Sequence, residues 1–184
     1  MANKRIDLPL TERDISGLAA GDTLLLNGPL LSGRDAAHKR LIAAIKEGLT
    51  LPVELKGETI YYVGPCPTPP GRVIGSAGPT TSGRMDSYTP SLLGLGLKAM
   101  IGKGQRAPEV IEAMKQHQAV YFAALGGAGA LIAKSIKKAE IVAYPDLGPE
   151  AIYRMVVEDF PVIVAIDANG NDLYQIGREK YFIN

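Results

Sequence analysis

The chain has 184 residues, 46% of them apolar, which suits a single domain over 1–184 with a core of its own and argues against disorder. Its 20 basic and 19 acidic residues leave a formal charge of +1, so no global field recruits nucleic acid or an anionic membrane. No Lys/Arg run makes a nucleic-acid arm, no apolar run approaches the ~20 residues of a membrane span, and the opening MANKRIDLPL lacks a signal peptide's apolar stretch; a cytoplasmic protein is expected.

In chain order, Arg5 to Leu10 reads as a short strand followed by a capped turn at Thr11-Glu12-Arg13-Asp14. Asp22 to Asn27 predicts a strand ending at a turn, Asn27-Gly28-Pro29. Apolar residues at 37, 41, 42 and 45 predict an amphipathic helix over 34–48, with Gly48 as its C-terminal cap. Thr59 to Gly64 is β-branched and aromatic, hence a strand; the four prolines of the following segment 65–71 forbid both helix and central strand. A Gly/Thr/Ser turn is expected over 78–83, then a helix from Thr89 to Ala99 with Pro90 in its first turn.

Lys98 to Ile101 reads as a strand running into the turn Gly102-Lys103-Gly104. Pro108 to His117 reads as a helix, Ala119 to Ala124 as a strand, and Gly126 to Ser135 as a Gly/Ala-rich helix. Ile141 to Tyr144 is expected as a short strand, Pro149 to Val157 as a helix and Val162 to Asp167 as a strand; the turn Asn169-Gly170 and the run Leu173 to Ile176 follow. This irregular alternation predicts a mixed α/β domain more than a regular doubly wound sheet.

Cys66 is the one cysteine and His38 and His117 are the two histidines, so this chain cannot by itself hold a zinc or an iron–sulfur cluster. With prolines around it and no evident histidine partner, Cys66 reads as a structural thiol before a nucleophile. Polar residues concentrate instead in four glycine-rich stretches, where backbone can approach a ligand closely.

In Ser32-Gly33-Arg34-Asp35-Ala36-Ala37-His38, Arg34 stands where a helix N-terminus favours an anion and its planar fork suits a carboxylate. The alternative is a surface charge beside a capping Asp35, and His38 either faces the same pocket or is a solvated helix residue. The hydroxyls of Thr80, Thr81 and Ser82, followed by Gly83 and Arg84, can form a nest of donors around an anion. Lys103 offers a point charge between two glycines, or is a plain turn lysine. Gly126 to Ala130 imitates part of a dinucleotide fingerprint, but its spacing is incomplete, and a tight strand–helix crossing fits it better.

Four segments, NGPLLSGRDAAHKRL (27–41), YYVGPCPTPPG (61–71), SAGPTTSGRMD (76–86) and IGKG (101–104), together resemble the β subunit, or C-terminal domain, of class I iron–sulfur fumarate hydratases. The wider family includes L-tartrate dehydratase β subunits. The resemblance extends from about Leu24 to Gly177.

It implies a swivelling β/β/α domain that closes over a [4Fe–4S] cluster held by cysteines of a separate α subunit. It further implies that Arg34, Thr80, Thr81, Ser82, Gly83, Arg84 and Lys103 line a site for a small dicarboxylate, fumarate or malate. Thr80 would be the base that removes the C3 proton, and His38 a second catalytic residue. The run from Ala77 to Asp86 looks more like the fumarate enzymes than the tartrate ones. The alternatives are an L-tartrate dehydratase β subunit, or a non-catalytic anion-binding or assembly subunit.

Overall fold

The central strands of this protein bury both faces, and side chains of opposite parity enter two separate cores. The computed structural model describes residues 4–125 and 127–181. In it β1 (Lys4–Asp7), β2 (Thr23–Ser32), β3 (Thr59–Tyr61), β4 (Ala99–Gly102) and β5 (Val120–Ala123) run parallel, each bonded to the next. The hairpin of β6 (Ile136–Ala143) and β7 (Ile152–Ile166) is antiparallel. β7 bonds to β5 along one edge and to β2 along the other, so β2, β3, β4, β5 and β7 close into a barrel; β1 lies beside β2 and β6 beside β7.

Inside the barrel pack Leu24, Leu26 and Leu30, Tyr61, Ile101, Phe122, Phe160, Val162 and Val164. Their neighbours of opposite parity, Leu31, Ile60, Tyr62, Met100 and Tyr121, face outward under the helices. This two-sided burial is why segments such as TIYYV read as unbroken apolar runs.

Among the described residues there are six α-helices: α1 (Glu12–Ser16), α2 (Asp35–Lys46), α3 (Thr89–Gly94), α4 (Pro108–His117), α5 (Gly129–Ser135) and α6 (Leu173–Tyr181). Leu41 of α2, Leu92 and Leu93 of α3 and Val110 and Met114 of α4 seal the outer core. Local chemistry sets their ends. Thr11 and Asp14 form a capping box at α1, and α2 stops in a Schellman arrangement, Gly48 N–H to Ile45 O (3.1 Å) and Leu49 N–H to Ala44 O (2.9 Å). The mixed α/β class is as expected.

Several elements differ from the sequence reading. The expected turn at Asn27-Gly28-Pro29 is a bulge within a continuous β2, its register against β7 shifting between Leu26 and Gly28. Of the expected helix over Pro149–Val157, the part from Ile152 onward is instead the start of β7. Short 3₁₀ turns over Pro145–Glu150 break at Gly148 (φ 56°), and from Ile152 the chain is captured by β2 on one side and β6 on the other. β6 starts at Ile136, not Ile141; α3 ends at Gly94, short of Ala99; and Leu173–Ile176 opens a helix. No helix among the described residues is long and apolar enough to cross a membrane.

Candidate functional site

The carboxyl ends of parallel strands form one rim, where chain segments leave the sheet and ligands of such folds commonly bind. Arg34 follows β2, Gly64 follows β3 and Lys103 follows β4. Between the last two, residues 80–82 insert as an extra short strand. Thr80 N–H donates to Tyr62 O (2.8 Å), Lys103 N–H to Thr80 O (3.3 Å) and Ser82 N–H to Lys103 O (2.9 Å), with Thr81 bridged in parallel to Lys103. Thr80, Thr81 and Lys103 are therefore brought together by backbone pairing.

Ser82 differs from its two neighbours. Its hydroxyl is fully buried and shares a hydrogen bond of 2.9 Å with Tyr121 Oη, which also donates to Gly104 O at 2.9 Å. Gly102 makes room for it, because a Cβ there would fall on the Ser82 hydroxyl. The inserted strand and the lysine turn are thus tied by one tyrosine, and Gly104 N–H donates to Tyr174 Oη of α6 at 3.2 Å.

Past Ser82 a 3₁₀ turn (Ser82–Met85) carries Arg84 outward. Arg84 Nε donates to Asp35 Oδ1 at 2.7 Å, while Arg34 Nε donates to Asp35 Oδ2 at 3.1 Å. One carboxylate thereby joins two arginines from distant segments. Glu150 stands 3.5 Å from Arg34 Nε and caps α2 through Ala36 N–H at 2.8 Å. Burial raises the Asp35 carboxyl pKa, but hydrogen bonds from its own amide, Arg34 and Arg84 together hold it below the usual carboxylate range. Gly83 is exposed, and a Cβ added there would meet nothing nearer than 3.8 Å.

His38 is neither pocket-facing nor solvated: it is fully buried, edge-on to Tyr62 with ring centroids 5.3 Å apart. Its Nδ1 lies 2.9 Å from Arg34 O, so Nδ1 carries the proton and Nε2 is left a lone pair with no hydrogen-bond partner among the described residues. Burial lowers its pKa from 6.5 to about 4.

Behind the rim lies a buried arginine that the sequence reading did not single out. Arg106 donates to Asp86 Oδ1 at 2.7 Å and Thr89 Oγ1 at 2.8 Å, and its guanidinium lies 5.4 Å from the Tyr62 ring centroid and 5.1 Å from that of Tyr121. Burial works against its charge, yet Tyr62 and Asp86 hold its pKa above the ordinary value. Its signal in the sequence was slight, an arginine two residues before the α4 proline. Asp35 and Glu150 were equally silent as bridging groups.

The Gly/Ala cluster behaves as a crossing. Gly129 packs against Gly78, with Ala77 N–H donating to Gly129 O at 3.1 Å; Gly126, also part of that expectation, lies outside the described residues. Cys66, expected as a structural thiol, is exposed. A separate concavity of about 570 Å³, bordered by Arg72, Lys134 and Lys137, is lined by none of the candidate residues.

Comparison with known proteins adds to this geometry. The fumarase C-terminus family model matches residues 1–177. The chain is 44% identical over 177 residues to the aerobic class I fumarate hydratase of Salmonella typhimurium, covering 93% of this chain and 30% of that protein. Against fumarate hydratase 2 of Leishmania major it is 41% identical over 164 residues, 88% of this chain and 29% of that protein. It therefore spans about a third of the length of these fumarate hydratases. Against the putative L(+)-tartrate dehydratase subunit beta of Methanocaldococcus jannaschii it is 37% identical over 179 residues, 94% of this chain and 92% of that protein.

Proposed function

Since this chain belongs to the fumarase C-terminus family, we propose that it acts as one domain, the β subunit of a two-subunit fumarate hydratase, a hydro-lyase interconverting fumarate and (S)-malate. One observation carries the reading: Arg34 and Arg84 meet on Asp35, at 3.1 and 2.7 Å, on the rim where the Thr80–Lys103 pairing also ends.

Reversible loss of water from a 2-hydroxy dicarboxylate needs the carboxylates clamped and a proton taken from the carbon next to the one that loses hydroxide. Arg34 and Arg84 offer planar donors for one carboxylate, and Lys103 a point charge for the other. As the C3 proton leaves, charge spreads into the adjoining carboxylate, and these cations stabilise it. Thr80 takes that proton; a threonine is a weak base, and the same cations lower the cost of its ionised form. Thr81 and Gly83 complete the substrate surface, Ser82 holds the inserted strand through Tyr121, and His38 fixes the Arg34 backbone through Nδ1.

A [4Fe–4S] cluster does not fit the residues present. It calls for several thiolates, whereas the chain has Cys66 alone, and no three His, Cys, Asp or Glu gather in a metal-holding group among the described residues. We assign the cluster to a cysteine-bearing α subunit over which this domain closes, and no step on this chain runs through it. The tartrate reading is the runner-up, because the archaeal relative of matching length carries that name.

The test is anaerobic co-expression with the cysteine-bearing subunit, following fumarate absorbance with (S)-malate and, in parallel, turnover of L-tartrate. Turnover of malate by the pair and not by either chain is the expected outcome. Turnover of tartrate alone would move the substrate. Silence on both would leave an anion-binding or assembly subunit.

A further inference from the structure

The two arginines of the proposed clamp come from elements that the backbone does not join. Arg34 is the N-cap of α2 and Arg84 sits on the 3₁₀ turn; among the described residues, no backbone hydrogen bond links 34–36 to 81–86. What links them is the Asp35 side chain, one oxygen to each Nε. Two guanidiniums brought side by side repel each other unless an anion lies between them. Asp35 supplies that anion from the first residue of a twelve-residue helix, where its own backbone is fixed.

The choice of Nε is informative. A guanidinium has two donor edges, and engaging Nε fixes its plane while the Nη edge keeps its donors for a second acceptor. Arg84 is half-exposed, so the ion pair adds little to stability; its effect is geometric. The Asp35 pKa is held low enough for the bridge to stay ionised throughout the neutral range.

We propose that Asp35 is a positioning residue of the dicarboxylate site, setting the spacing and planes of Arg34 and Arg84 so that both guanidiniums grip the same substrate carboxylate. This rests on the proposed function for its substrate, but the bridge has a readout of its own.

The experiment uses the reconstituted complex with Asp35→Asn, which keeps the size of the side chain and removes its charge. KM for the dicarboxylate is expected to rise about tenfold with kcat within about threefold, the pattern of lost binding, and with Tm unchanged. Because Asp35 acts through Arg34 and Arg84, the double variant Asp35→Asn/Arg84→Lys should cost clearly less in KM than the two single variants summed. An unaltered KM, or additive effects, would overturn the proposal.

In the same complex carrying ¹⁵N-arginine in this chain, succinate serves as probe. It should perturb the Arg34 and Arg84 side-chain resonances together in the native protein and lose that coupling in Asp35→Asn. If the native complex turned over no dicarboxylate, the functional reading would fail while joint movement of the two resonances still upheld the bridge. Resonances that move independently in the native chain would sink it.

Discussion

At the scale of single residues, the site separates groups that face out from groups that hold them. Thr80 is gripped by its backbone on both sides, to Tyr62 O and from Lys103 N–H, so its hydroxyl can be removed without disturbing the strand. Thr80→Val is therefore expected to change stability by less than about 0.5 kcal/mol and to lower kcat of the complex by at least ~100-fold. Denaturation and malate turnover check the two halves of that statement, and a normal kcat would favour the assembly reading.

His38 gives a pH prediction with a definite sign. Its folded pKa, about 4, lies below the ordinary 6.5, so between these values the unfolded chain binds a proton that the folded chain refuses. Stability is full above about pH 6.5 and falls as pH drops toward 4, by roughly 3 kcal/mol in all. His38→Asn, which keeps a donor for Arg34 O, should flatten that slope. Urea titrations at pH 7, 5.5 and 4.5 on both proteins would show it, and parallel slopes would refute it.

At the scale of elements, α4 was legible because Pro108 at its start and the spacing of Val110, Ala113 and Met114 carry purely local instructions. The start of β7 was not. Pro149 and the apolar spacing after it suit a helix locally, and only pairing with β2 and β6, both remote or unformed in a local reading, makes Ile152–Val157 a strand. The candidate site divides in the same way. Arg34, Thr80, Arg84 and Lys103 stand in motifs with local character, whereas Asp35 and Arg106 acquire their partners only when separate segments meet.

Arg106 joins the segment after the 3₁₀ turn, the start of α3 and the lead into α4 through Asp86, Thr89 and the amide of Ala107, to which Asp86 is bonded at 2.7 Å. Arg106→Met would leave Asp86, itself largely buried, without its counter-charge and should cost about 3–5 kcal/mol, read as a lower urea midpoint at unchanged m. A loss below about 1 kcal/mol would mean that the pair only fills space.

At the scale of the molecule, every group proposed to touch substrate lies on one rim of the barrel, and the opposite end contributes none. The barrel positions these groups by holding β2, β3 and β4 in register, so that Arg34 and Lys103 leave β2 and β4, the strands flanking β3, at the same height and residues 80–82 fit between β3 and β4.

The closing strand also dictates when such a rim can exist. Thr23 pairs with Ile163 and Leu31 with Arg154, so the wall bearing Arg34 is completed by the last strand of the sheet. Bringing such distant partners together carries a large loop-closure entropy, and folds ruled by such pairings form slowly. Until β7 is in place, β2 and β5 present edges without their partner strand, and such unpaired edges are where chains associate wrongly. The same strand that closes the barrel thus makes the rim one of the last parts of the sheet to be completed.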